Sequence, residues 1–462
     1  MLNIYTSANC ASEKKYIFDQ ILGRFLGVSF QVHYSEMSGS IKVSMEGRAG
    51  ELEINDVFFF QFENKVRWLS QESLPLLPLK ILERRNIPIL YGNDKIDESR
   101  ESFHIGIDLF GSCFFMLSRY EELVVNEKDT HGRFPARASV AYKGGFLDRP
   151  IVDECIEVLW FYMKKLWPSL ERKALKPNYF VSCDVDFIQD RGVRFPGIIN
   201  RLGGDLIKRK SFKQFLGSLK LFYTVSILKN KTQDPFNTFN FMMDVCESNN
   251  LKMAFYFIPR NNKLPIDGDY DIESDEILEL MRNIIARGHE VGYHASYYSY
   301  SDLEVTRKEV ALLRKVFKKA GGNPEDIKGG RQHYLRWETG ITEKNWETVG
   351  LEYDSTLGFA ETVGFRCGTG QEYNFYDSHE RKPMKLRIRP LLAMEVSVFN
   401  LNYMGLSHEE AFLIIEKTKN TTEKYRHDFS LLWHNSSFNL KKDFELYQKL
   451  LFLKGAPNID AS

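Results

Sequence analysis

Several features that would narrow the function at once are scarce or missing in this chain. Its six cysteines (Cys10, Cys113, Cys155, Cys183, Cys246 and Cys367) are scattered through 462 residues without a CxxC pair or any short spacing. That argues against a disulfide framework and against a cysteine-rich zinc site. Charge of one sign is lacking too: 62 Lys+Arg meet 62 Asp+Glu, so no nucleic-acid partner is expected, because general nucleic-acid binding needs a basic excess. No apolar run approaches the ~18 residues of a membrane span; FGSCFFML at 110–117 is among the longest. The opening residues, MLNIYTSANCASEKKYIFDQ, have no basic stretch leading into an apolar one. No secretory signal is therefore expected, and the expected compartment is the cytoplasm.

What is present reads as a folded α/β protein. Hydrophobic residues make up 43% and charged residues 27% of the chain, the balance of a globular protein with room for a large core. From about Pro177 short apolar runs alternate with helical periods. NYFVSCDVDF (178–187), MAFYFIPR (253–260), EVGYH (290–294), the run ending in GGRQHY (329–334), LEYDST (351–356), LRIRPLLAMEVS (386–397) and FSLLWHNSS (429–437) read as strands. Helices are predicted over 273–289, from a capping box at Ser301–Glu304 through Lys319, around 339–349, and over 411–425. Strand alternating with helix implies a parallel sheet, and this many units predicts a distorted (β/α) barrel over 177–462. Residues 1–170 read as a separate α+β domain, with strands at 41–45 and 56–62 and a helix at 152–167.

An insertion at about 190–240 separates the first two barrel strands. Between Arg191 and Lys231 it holds ten Lys/Arg and a single acid, Asp205. Its apolar residues predict amphipathic helices that face the body of the protein and leave the cations in water. The alternative is contact with an anionic membrane surface or an acidic glycan, which requires an exposed apolar stripe flanked by those cations.

The chemistry-bearing residues gather at the ends of these strands. Asp184 and Asp186 stand at i and i+2, which puts both carboxylates on one face. So close together, they need a shared proton or a cation between them. A DxD pair can also simply cap a turn, but the end of a barrel strand is where active sites cluster. His294, His333 and His434 each follow an apolar strand as well. Their convergence with the Asp pair points to a metal-assisted hydrolytic site.

SCDVDF, GHEVGYH, GGRQHY and LLWH, in that order, resemble the motifs of the polysaccharide deacetylase superfamily of metal-dependent carbohydrate esterases. The resemblance covers roughly 177–440. QHYLRW, YDSTLGF, GFRCGT and LLWHNS further resemble a bacterial subgroup of deacetylase-like proteins with an N-terminal domain of uncertain function, which IGIDLFGSCFFMLSRYEE (105–122) also resembles. By that resemblance Asp184 is the general base, Asp186 and His294 are metal ligands, and Arg331 orients the base. Tyr334 offers a backbone N–H to the oxyanion, and His434 is the general acid. The second ligand histidine of the family falls on Tyr298, a poor neutral ligand, and His333, where the family has proline, is the expected replacement.

The function implied is a metal-dependent hydrolase removing N-acetyl groups from a sugar or polysaccharide precursor. The expected cofactor is a divalent metal, zinc, and the expected partner a carbohydrate substrate. The rival reading is a catalytically impaired deacetylase fold acting as a glycan- or nucleotide-sugar-binding module. A glycosidase using Asp184 and Asp186 ranks last, because i, i+2 carboxylates lie on one side of a substrate rather than flanking its bond.

Overall fold

The structure is a computed structural model that describes residues 1–36, 39–83, 85–259, 265–268 and 270–452. Two sheets organise it. The first contains β1 (Leu2–Ser7), β2 (Phe30–Ser35), β3 (Ser40–Met45) and β4 (Glu51–Asn55). A small antiparallel pair follows, β5 (Lys80–Leu82) and β6 (Ile87–Ile89), and then β7 (Gly92–Glu98) and β8 (Ser102–Ile107) complete the first sheet. Its order is β2-β1-β3-β4-β8-β7. Period two is plain in its middle, where Ile41, Val43, Leu52 and Ile54 are fully buried.

DVFFFQF (56–62), predicted as a strand, is not one. The ladder stops at Asn55, and Phe60–Phe62 form a 3-10 turn. Asp108 explains the break: its carboxylate accepts the backbone N–H groups of Val57 (2.9 Å) and Phe58 (2.7 Å) and so draws the chain off the sheet. Phe58 and Phe59 are then both buried in succession, which no strand alternation permits. The predicted helix at 152–167 is present as Ile151–Leu166.

The second sheet has nine strands: β9 (Tyr179–Val185), β10 (Met253–Phe257), β11 (Glu290–Ala295), β12 (Gly329–Gln332), β13 (Tyr353–Asp354), β14 (Tyr373–Asp377), β15 (Lys382–Ile388), β16 (Ala393–Met394) and β17 (Phe429–Leu432). Their order is β14-β15-β13-β12-β11-β10-β9-β17-β16, and every neighbouring pair except β14–β15 is parallel. Helices Phe239–Ser248, Asp275–Ala286, Leu303–Lys319 and Thr342–Thr348 make the crossovers from β9 to β13, as parallel pairing requires. Arg260, the end of the predicted strand 253–260, lies outside the described residues.

The run 386–397 divides. β15 pairs with β13, the chain passes Pro390, and β16 then pairs with β17. Proline cannot donate to a ladder, so the break falls where it stands. Leu391 N–H still donates to Leu357 C=O at 3.1 Å, so this one segment lies between β13 and β17. The helix at 303–319 is capped by Asp302, whose side chain accepts from Val305 N–H, rather than by Ser301.

One continuous apolar core runs through both sheets. Tyr376 of β14 packs on Tyr16 and Phe114, with ring centroids 4.8 and 5.1 Å away. At the same junction Glu122 is buried between Arg119 (2.9 Å) and Arg366 (2.8 Å). Burial alone would raise the Glu122 pKa, but the two guanidiniums outweigh it and hold it down at about 2.

The insertion corrects its prediction. Its helices, Gly197–Ile207 and Phe212–Phe222, do form. Val193, Ile198 and Val225 do face the body and are buried, but Phe195, Ile199, Ile207, Phe212 and Leu216 are all exposed. The helices close on a polar seam instead, with Ser218 Oγ donating to Asp205 at 2.6 Å and Arg209 paired to the same carboxylate at 2.5 Å. A large share of the hydrophobic positions is left on the outside. No helix among the described residues is long and apolar enough to cross a membrane.

Candidate metal and acid–base site

Four strands of the second sheet deliver polar side chains to their C-terminal ends. Asp186 lies one residue past β9, His294 near the end of β11, His333 directly after β12, and His434 two residues past β17. Ligand atoms of Asp186, His294 and His333 all fall within 4.8 Å of one another. His294 Nε2 is 3.2 Å and His333 Nε2 3.5 Å from Asp186 Oδ1. His434 Nε2 stands on the other oxygen, 3.7 Å from Oδ2.

The hydrogen bonds behind the two rings determine what they present. His294 Nδ1 meets the Arg331 carbonyl at 2.9 Å, and a carbonyl can only accept. The proton therefore sits on Nδ1, and Nε2 can offer a lone pair. His333 Nδ1 meets Asp267 Oδ1 at 2.9 Å, and the same logic applies once the ring is neutral. Asp186 Oδ1 and His294 Nε2 are buried without a hydrogen-bond partner. Unpaired buried polar atoms are costly, and two of them converging with a third donor make a set that fits a divalent cation. This buried Asp/His/His cluster can hold such an ion.

Burial would lower the His333 pKa, but Asp186 and then Asp267 lift it to about 9. Burial also acts against Asp186 ionising, yet His333 and His294 hold its carboxyl well below the usual range. Without a cation, His333 thus carries a proton at neutral pH, and loading a metal must displace it.

Asp184 Oδ1 accepts from Arg331 Nη1 at 2.7 Å, and Arg331 is itself fixed by Ser182 Oγ (3.0 Å) and the Ser355 carbonyl (2.9 Å). Asp184 Oδ2 lies 3.7 Å from His294 Nε2. Tyr334 and Leu335 both adopt left-handed backbone, at φ 60 and φ 54, an uncommon pair for non-glycine residues. Arg133, from the N-terminal part of the chain, donates to the Tyr334 carbonyl at 2.9 Å. Tyr298 is 57% exposed.

Sequence reasoning missed two carboxylates. Glu395 Oε1 lies 2.5 Å from His434 Nδ1 and also accepts from Ser437 Oγ at 2.7 Å. Burial would lower the His434 pKa, but Glu395, followed by Asp186 and Asp184, raises it to about 10. Glu395 ends the apolar run LLAM, the same signal that picked out Asp184. Asp267 carries no such mark in PIDGDYD. It is placed by Gly268, whose φ of +79 and approach to the Asp186 carbonyl leave no room for a Cβ, which would sit 2.1 Å from that oxygen.

A cavity of about 820 Å³ opens at the other ends of these strands, beside Asn178, Lys252, His289 and Arg389. It touches Arg331 but none of the Asp/His cluster.

Residues 2–168 match a family described as a family of unknown function (DUF7033), which covers less than half of the chain. No curated protein matches. Among solved structures, a protein assigned as a polysaccharide deacetylase from Mycobacterium smegmatis aligns with a TM-score of 0.38 and 13% identity, over 60% of this chain and 84% of that one. An allantoinase aligns with a TM-score of 0.34 and 11% identity, over 60% and 83%. A 4-alpha-glucanotransferase from Thermococcus litoralis gives 0.33 and 14%, over 59% of this chain and 35% of its own. Backbone likeness at that level assigns neither fold nor activity to this chain.

Proposed function

We propose that the chain is a metal-dependent hydrolase that removes N-acetyl groups from a sugar or polysaccharide precursor. In this reading residues 177–462 form a distorted (β/α) barrel that carries the site, and residues 1–170 buttress it. The observation that carries the proposal is the convergence of Asp186 Oδ1 and His294 Nε2, two buried atoms 3.2 Å apart, with the Nε2 of His333. Bound there, a divalent ion, zinc in our reading, supplies Lewis-acid chemistry that acidifies water and polarises a carbonyl. Asp184 is the base. Arg331 occupies its Oδ1 and leaves Oδ2 to take a proton from the attacking water. His434, with Nδ1 on Glu395, gives its Nε2 proton to the departing amine. The backbone N–H of Tyr334 is assigned to the oxyanion.

Elemental analysis of the purified protein, followed by an acetate-release assay on N-acetylated amino-sugar oligosaccharides, tests this. Stoichiometric divalent metal and acetate release abolished by Asp184→Asn are expected. One observation favours the rival reading of a sugar-binding module: His333 is already placed to neutralise both Asp186 (3.5 Å) and Asp267 (2.9 Å) by itself. A metal-free protein that still binds sugar would decide for that module.

A further inference from the structure

The helical pair at 191–231 is the part of the molecule whose chemistry nothing else uses. Phe212, Leu216, Leu219, Tyr223 and Ile227 follow one another at i, i+4, i+7, i+11 and i+15, and all five are exposed. That spacing is a single stripe along a helix. Phe195, Ile199, Leu206 and Ile207 of the preceding helix and its lead-in are exposed as well. Soluble surfaces scatter such residues singly, and a contiguous set marks an interaction site.

Cations border the stripe. Among the described residues, Lys208, Lys210, Lys213, Lys220 and Lys229 have no ion-pair partner, whereas Asp205, the only acid in the segment, is buried in the seam between the helices. The first helix has eleven residues, and the second has eleven and continues into a π-helical segment over Tyr223–Ile227; at no more than about 24 Å, neither is long enough to cross a hydrocarbon core of ~30 Å. Short amphipathic helices with apolar residues on one side and lysines at the margin lie in the interface of an anionic bilayer.

We propose that this hairpin docks the protein on an anionic lipid surface, with the stripe entering the interface and the lysines meeting the headgroups. A second copy of the chain is the weaker occupant, because a two-fold contact would set this strongly basic face against itself. The segment begins at Arg191, a few residues past Asp186 in the chain, so docking brings the C-terminal edge of the second sheet toward the lipid. The inference stands independently of whether the Asp/His cluster is catalytic.

The test is co-sedimentation of the full chain with vesicles of phosphatidylcholine alone and of phosphatidylcholine mixed with phosphatidylglycerol. Binding to the anionic vesicles, weakened by salt, is expected. Each lysine near such a surface contributes about fivefold, so Lys208→Glu, Lys210→Glu and Lys213→Glu together should cost at least about 100-fold. Phe212→Ser with Leu216→Ser should abolish binding even at low salt. All five positions are exposed, and unchanged thermal melts confirm that the variants fold. Equal binding to both vesicle types, or none to either, overturns the proposal. So does a dimer in solution that Phe212→Ser with Leu216→Ser dissociates while vesicles go unbound.

Discussion

The imidazole of His434 holds its Nδ1 2.5 Å from Glu395 Oε1, and the same oxygen receives the His434 backbone N–H at 3.1 Å. One carboxylate therefore fixes both the position of the ring and the nitrogen that keeps its proton. Glu395 is also the largest cause lifting the His434 pKa to about 10 against burial. Glu395→Gln keeps the shape and removes the charge. In metal-free protein, NMR titration of the His434 ring should show its pKa falling from about 10 toward the ordinary 6.5. Hydrolysis at neutral pH should fall by roughly 10²-fold or more, the scale of a positioned acid. An unmoved His434 titration would mean that Glu395 does not control the ring.

Metal content separates ligands from bystanders. His294→Ala and His333→Ala should each empty the site, whereas Tyr298→Phe should leave metal unchanged, since Tyr298 is mostly exposed. Asp267→Asn should weaken metal affinity by about 10–100-fold, the usual cost of losing the partner that orients a ligand histidine. Competition with a chromogenic chelator measures all four. Full metal retention in His333→Ala would remove His333 from the ligand set.

Much of this site was legible because its signal is local. An apolar run that ends in Asp or His marks a strand delivering a polar group to its C-terminal end, and Asp184, Asp186, His294 and His434 follow that rule, whereas His333 follows the strand Gly-Gly-Arg-Gln. Glu395 obeys it too, but the strand assigned through 397 hid it: the ladder ends at Met394 and Glu395 opens a short helix. Asp267 depends on the fold of its loop and on Gly268, which no periodicity records. The break at Val57 is likewise non-local, because it depends on Asp108, about fifty residues on. The insertion was readable as amphipathic helices, yet the pattern could not say which face meets water. That was decided by the Asp205–Ser218 seam.

Acid stability should report on the junction between the sheets. Glu122 has a folded pKa of about 2 against an ordinary 4.5. Because its folded value is depressed, its contribution is complete above about pH 4.5 and drains away as pH falls toward 2. Glu122→Gln should leave Arg366 buried without its counter-charge and Arg119 with Glu121 alone (3.0 Å), at a cost of ~3–5 kcal/mol. The variant should also lose part of the pH dependence between 4.5 and 2. Urea unfolding of both proteins across that range measures the two effects, and equal slopes would show that another group dominates acid unfolding.

Arg133 links the N-terminal part of the chain to the left-handed turn at Tyr334. Its Nε pairs with Asp129 at 2.6 Å while Nη1 reaches the Tyr334 carbonyl at 2.9 Å and Nη2 the Tyr403 hydroxyl at 3.2 Å. Consecutive left-handed residues cost of order 1–3 kcal/mol each and persist only where surroundings hold them. Arg133 is the charged group that does so here. In Arg133→Ala the turn should relax, which moves the peptide assigned to the oxyanion without touching Asp186, His294 or His333. Metal content should therefore stay full. The rate constant kcat should fall by roughly 10–100-fold, because a misplacement of about 1 Å costs on that order, with a smaller change in KM. Arg133→Lys keeps the charge but not the three-way fork, so it should recover only part of the loss. Equal falls in metal content and kcat would instead assign Arg133 to the integrity of the fold, and an unchanged kcat would remove the Tyr334 turn from the chemistry.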